Sequence, residues 1–288
     1  MFTPTFNALL REAQFTKEML GTGATQIRLA NYATKGIYFQ SFTSLSTGLE
    51  RIGKLCLMLD HFIETGGEFP TLKEMKCQIG HKLELLYERS QDVIRRRSIQ
   101  LRMTRDLSDP VHLAIMRVLN DFAEGDRYSN IDVLVGGSSS IDPISRWFNE
   151  VDSHLYTFRV SQKKKDLIAH NARVGAQLLG AFSMVRHTAE TGEMIIDFEE
   201  GSRRTGMWEA VSPYRQLAVL QIIRYWTELI GELGYAAQAL PGEDIPYFGE
   251  IFAIFYNDDS YLRSRKSWEK LWYMAYSRHS NKFLTNER

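Results

Sequence analysis

Between Gly36 and Ile63 the apolar residues Phe42, Leu45, Leu49, Ile52, Cys56, Leu59 and Ile63 recur at steps of three and four. That rhythm puts them on one stripe of an α-helix. Leu55, Leu57, Met58 and Phe62 widen the stripe, so the second half of this helix is expected to be buried nearly all round. Gly66 and Gly67 can end it in left-handed geometry, and Pro70 cannot continue it. Thr71 then serves as an N-cap, with Glu74 three residues on to complete a capping box. Leu72, Met75, Ile79, Leu83 and Leu86 follow at helical spacing. They predict a second helix carrying Gly80 and His81 in its middle.

The same reading continues along the chain. Residues 88–106 are rich in arginine and extend that helix or form a short extra one. Asp109-Pro110 opens a helix with proline in its first turn, whose inner face is Ile115, Val118, Leu119 and Phe122, and Gly125 closes it. Residues 126–130 read as a loop leading into Ile131–Val135. Asp142-Pro143 opens another helix, with Trp147, Val151, Leu155 and Phe158 inward. Lys163-Lys164-Lys165 reads as a solvated helix face. Ile168–Val185 reads as helix, with Ala172, Gly175, Ala176, Gly180 and Ala181 small enough for close packing. Residues 182–198 fit either helix or a hairpin around Glu190-Thr191-Gly192, because Met194, Ile196 and Phe198 alternate. Gly201–Gly206 reads as a basic loop with Arg203 and Arg204, and Pro213 as the start of a long helix through Leu233. Helices over 247–256 and 260–277 follow the breaks at Pro241 and Pro246. The expected fold is mainly all-α: an antiparallel helical bundle over 1–165 and a second helical lobe over 166–288, with a seam near 161–190.

Composition narrows the class. The chain has 288 residues, 44% hydrophobic and 12% aromatic, enough to bury a substantial core. Lys+Arg and Asp+Glu both number 35, so no chain-wide field draws it to nucleic acid or to an anionic membrane. Cys56 and Cys77 sit in apolar helix faces and read as buried thiols of a reducing compartment. No apolar run reaches the roughly 18 residues of a membrane span, and the N-terminus lacks the basic-then-apolar pattern of a signal peptide. A cytoplasmic protein with no membrane partner is expected. Nucleotide-cradling and nucleophile-elbow motifs are missing, so no cofactor is implied. Glu84, Glu88 and Asp92 share a helix face, but without paired histidines they do not make a metal site.

The local basic patch is Arg95, Arg96, Arg97, Arg102 and Arg105. It reads either as a solvated face or as a contact for RNA phosphates. Arg127 and Tyr128 could hold a phosphate and a base, or Arg127 could cap a helix C-terminus. His81 reads as a hydrogen-bonded structural histidine or as a ligand-site residue. The aromatic C-terminus, including Trp268, Trp272, Tyr273 and Tyr276, reads as core and in part as an interface.

Three motifs carry a family resemblance. They are the helix with Gly48-Leu49-Glu50-Arg51-Ile52-Gly53-Lys54-Leu55, the segment Gly80-His81-Lys82-Leu83-Glu84-Leu85-Leu86, and Asp126-Arg127-Tyr128-Ser129-Asn130. Over roughly residues 36–160 the chain resembles the HEPN superfamily of helical bundles. Lys82 stands where that family commonly has Asp, and Ser129 where it has Pro. The resemblance implies a protein that acts by binding to itself, to a partner protein or to RNA, in bacterial defence or stress response. Its alternative implication is a metal-independent, toxin- or antiviral-type ribonuclease. Arg105 and His112, with six residues between them, would be the catalytic pair, with His112 as general base or acid and Arg105 on the phosphate. Such sites are completed by a second protomer, which implies a homodimer. Pro110 inside the motif and the negative Asp109 depart from the pattern. The bland alternative for His112 is an ordinary residue of a helix's first turn.

Overall fold

The structure, a computed structural model, describes residues 3–136, 142–242 and 244–269. The Ser138–Ser140 run, the Cys77 side chain and the distal part of the last expected helix, with Trp272, Tyr273 and Tyr276, lie outside the described residues. Among the described residues twelve α-helical segments follow in order: α1 (Pro4–Leu29), α2 (Gly36–Thr65), α3 (Leu72–Glu74), α4 (Leu83–Arg97), α5 (Pro110–Glu124), α6 (Ser129–Leu134), α7 (Pro143–Trp147), α8 (Ser153–Arg159), α9 (Gln162–Leu179), α10 (Phe198–Gln238), α11 (Phe248–Ile251) and α12 (Asp259–Ser264). A two-stranded antiparallel hairpin, β1 (His187–Thr188) and β2 (Met194–Ile195), precedes α10. The fold is therefore mainly all-α, and residues 182–198 resolve as the hairpin.

The α2 stripe is buried from Phe42 to Leu59, and Gly66 ends the helix at φ 78°. Thr71 and Glu74 form the capping box. The second helix departs from expectation. Residues 75–79 form one π turn, and Gly80 stops it at φ 74°. Helix resumes only at Leu83, whose N–H donates to the Asn120 side chain at 3.0 Å. His81 thus sits in a break, and Leu72 is exposed.

Four further expectations are corrected. Phe158 points to solvent although Leu155, three residues earlier, is buried as expected; it lies in the last turn of α8, which ends at Arg159. Val160 is buried instead. Gly201–Gly206 is no loop, and Pro213 opens nothing: both lie inside α10, a 41-residue helix that begins at the Asp197 N-cap. Glu200 pairs with Arg203 and Arg204 one turn on, which supports helix there. Gly206 lets α9 approach, since a Cβ would lie 2.7 Å from Ile168. Pro213 lacks an N–H and forfeits one helical bond. Packing of α10 against α1, α2, α5, α8 and α9 outweighs that loss. The 126–130 segment is also helical, as a 3₁₀ turn over Asp126–Tyr128 that runs into α6.

One buried cluster runs from Leu9 to Trp268 and takes residues from both sides of position 165. Close approach of α1 and α2 depends on paired glycines: a Cβ on Gly23 would meet Leu45 at 2.6 Å, and one on Gly48 would meet Leu20 at 2.8 Å. Gly48→Val should cost about 1–3 kcal/mol, read as a lower urea midpoint with an unchanged slope.

At the centre lies a buried polar group. Arg215 Nη1 donates to Asp152 Oδ2 at 2.8 Å and to the Tyr38 hydroxyl at 3.0 Å. Its other terminal nitrogen donates to the Ala30 carbonyl. Trp147 Nε1 donates to Asp152 Oδ1 at 3.1 Å. Burial opposes the Arg215 charge, but Asp152 and Tyr38 outweigh it and hold the guanidinium pKa above its ordinary value.

Candidate functional site

Asp109 caps α5 by accepting from the Val111 N–H at 2.9 Å. That cap places His112 in the first turn, facing inward and only 8% exposed. His112 Nε2 lies 2.9 Å from Gln221 Oε1 on α10, and Gln221 Nε2 donates to Asp259 Oδ2 at 2.8 Å. A carboxylate can only accept, so the Gln221 amide nitrogen must face Asp259 and its oxygen must face His112. His112 therefore carries its proton on Nε2. Burial pushes its pKa below the ordinary 6.5, more than the hydrogen bond to Gln221 and the charge of Asp109 push it up. The neutral ring leaves a bare lone pair on Nδ1, and among the described residues no donor reaches it.

His112 lines a cavity of about 240 Å³ with Asp109, Arg159, Tyr214, Gln221 and Arg263 among the other walls. Arg159 Nη2 lies 3.2 Å from Asp109 Oδ2. Arg224 holds the far side together, pairing with Asp259 Oδ1 at 2.8 Å and donating to Thr104 Oγ1 at 2.8 Å.

The depressed pKa has a pH consequence. Above the unfolded value near 6.5 the histidine is neutral in both states and costs nothing. As pH falls through 6.5 toward the lower folded pKa, only the unfolded chain takes the proton, and stability is lost in that window. Urea midpoints between pH 8 and pH 5 should fall for the wild type and fall less for His112→Gln.

Arg105, the expected partner of His112, is exposed and does not line this cavity. Its segment is irregular rather than helical. Glu228 fixes it by accepting the N–H groups of Arg102 at 2.6 Å and of Met103 and Thr104 at 3.1 Å. The arginines that line the cavity, among the described residues, are Arg159 and Arg263.

The arginine cluster is largely neutralised within the fold. Arg95 pairs with Asp92. Arg96 pairs with Asp60 at 2.7 Å and Glu64 at 2.6 Å, and the Glu64 hydrogen bond raises its pKa despite partial burial. Arg97 pairs with Asp60 at 2.5 Å. The Arg102 side chain is exposed. Arg127 donates to the Ala123 carbonyl in the last turn of α5, the capping arrangement, and lies 5.8 Å from the Tyr128 ring centroid. His81 is exposed, with Nδ1 3.3 Å from Glu50 Oε1 and 3.1 Å from Lys54 Nζ. His81, Glu50, Glu124 and Arg127 line one pocket of about 230 Å³. Residues of all three family-like motifs, Glu50, His81 and Arg127, thus line it.

Gln221, Asp259, Arg159 and Arg263 have no motif signal, because the fold gathers them from α8, α10 and α12. Among the described residues no group of three or more His, Cys, Asp or Glu side chains could hold a metal ion. Among them, too, no helix is long and apolar enough to cross a membrane. Comparison with protein-family models, curated proteins and solved structures finds no match for the chain.

Proposed function

We propose that this is a HEPN-like helical protein that acts by binding, as a homodimer, and that its ligand is RNA taken at the His112 cavity. One observation carries the reading: the Asp259–Gln221–His112 chain fixes a histidine in the wall of a cavity that Arg159 and Arg263 also line. A negatively charged ligand that also bears hydroxyls suits Arg159 and Arg263 together with the polar wall of His112 and Gln221. A ribose-phosphate chain offers both. The meeting of the Glu50, His81 and Arg127 motifs at one pocket supports the family kinship.

A second reading, metal-independent RNA cleavage, is favoured by the burial that keeps His112 neutral. A neutral imidazole with a free acceptor nitrogen is the form that removes a proton from a 2′-hydroxyl. In that reading Arg159 or Arg263, rather than Arg105, steadies the phosphate. Incubation with total RNA in EDTA separates the two. Binding without cleavage, weakened in His112→Ala and Arg159→Ala, supports the first. Cleavage lost in His112→Ala and kept in Arg105→Ala supports the second. Neither binding nor cleavage, or activity equal in all variants, removes both.

A further inference from the structure

The hairpin of β1 and β2 is a light strap on a helical body. Its strands share two residue pairs, His187 with Ile195 and Thr188 with Met194. A hairpin that small is marginal by itself, so its place depends on what it buries. Between His187 and Ile195 three residues are buried: Ala189, Glu190 and Ile195. Two are apolar anchors. The third carries a carboxyl group, is only 4% exposed, and has an Oε2 that no hydrogen bond reaches among the described residues. A buried charge is tolerated only with close, well-bonded partners. The groups around Glu190 are committed elsewhere. On α10, Arg204 Nη1 stands 3.7 Å from Glu190 Oε2, beyond hydrogen-bond reach, while Arg204 Nε serves Glu200 at 2.9 Å. Glu193, on the strap itself, draws on the same guanidinium at 3.9 Å. Arg215 is engaged by Asp152 and Tyr38, and Asp152 brings a second negative charge. Lys35, at the start of α2, donates to the Ala189 carbonyl at 2.6 Å, so it holds the strap's backbone rather than its carboxylate. Burial pushes the Glu190 carboxyl above its ordinary 4.5, and Asp152 adds to the push. Together they outweigh the opposing pull of its own N–H, Arg204 and Arg215.

We propose that this hairpin is a pH-operated strap, closed while Glu190 is neutral and lifted when Glu190 ionises and turns out into water. The sign follows from linkage. Below 4.5 the carboxyl is protonated whether the strap is closed or open. Between 4.5 and the higher closed-state value only the closed form keeps the proton, so closure is lost as pH rises through that window. Val185, just before β1, and His187 form part of the wall of a cleft of about 440 Å³ between α9 and α10. Lifting the strap takes that wall away and widens the cleft. The cleft shares no lining residue with the His112 cavity, so the strap stands or falls apart from the RNA reading.

Amide hydrogen exchange on the full chain at pH 5 and pH 8, corrected for intrinsic rates, tests it. Two amides report closure: the Ala189 N–H donates to the Glu193 carbonyl at 2.8 Å, and the Gly192 N–H to the Ala189 carbonyl at 3.0 Å. In the wild type their protection should fall about tenfold from pH 5 to pH 8. Glu190→Gln should keep its pH 5 protection at both values. Glu190→Leu removes the ionisable group without placing an amide in the core, and it should behave alike, which covers a glutamine variant that misfolds. Strap protection that is equal at the two pH values, or higher at pH 8, overturns the proposal. So does a fall that survives in whichever of these variants folds. His187 is a second titratable residue on the strap, exposed and edge-on to Tyr32. A fall abolished by His187→Gln instead gives the gate to that residue and overturns the role of Glu190. Amides of α2 should not lose protection as pH rises, and a parallel loss there would mean global opening and overturn a local strap.

Discussion

Arg215→Met should destabilise the protein by about 3–5 kcal/mol, the cost of leaving one partner of a buried ion pair uncompensated. The guanidinium is fully buried and serves three neighbours at once: Asp152, Tyr38 and the Ala30 carbonyl. Methionine fills much of the space but leaves the Asp152 carboxylate with only Trp147 and a long contact to Tyr38, 3.5 Å away. Asp152→Asn should recover part of the loss when added to Arg215→Met, because it removes the stranded charge. A urea titration of the two single variants and the double variant reads the coupling directly. Additive losses would mean that the pair does not act as a unit.

Phe42→Ala should cost a similar amount, about 3–5 kcal/mol. Its ring lies 5.8 Å from Tyr38, 5.4 Å from Phe122 and 5.2 Å from Trp147. These rings come from α2, α5 and α7, so one truncation loosens three packing contacts. Phe42→Leu refills most of the volume and should lose much less. Equal losses for the two variants would show that ring geometry rather than filled space holds this junction.

The α2 stripe, its glycine stop, the Thr71 capping box and the Asp109 and Asp142 helix starts were legible because each depends on neighbours within about four residues. The N-terminal helix was not. Its buried face is made largely of Ala13, Thr16, Gly21, Gly23, Ala24 and Thr25, which carry little hydrophobic contrast. Its burial comes from close approach to α2, a property of the pair rather than of the segment. Pro213 misled for the opposite reason: a strong local stop signal was overruled by tertiary packing along both halves of α10. At the site, His112 was picked out by its spacing from Arg105, yet its chemistry is set by Gln221 and Asp259, 109 and 147 residues away along the sequence. No local pattern carries such a relation.

The unbroken length of α10 also governs the order in which the chain can complete itself at the ribosome. Gly53 and Cys56 on α2 meet Trp226, with Cys56 Sγ 3.9 Å from its carbonyl. About 170 residues separate them, so at 5–20 residues per second the nascent α2 waits roughly 10–30 s for its mate. During that interval its greasiest flank is open to chaperones and to neighbouring nascent chains.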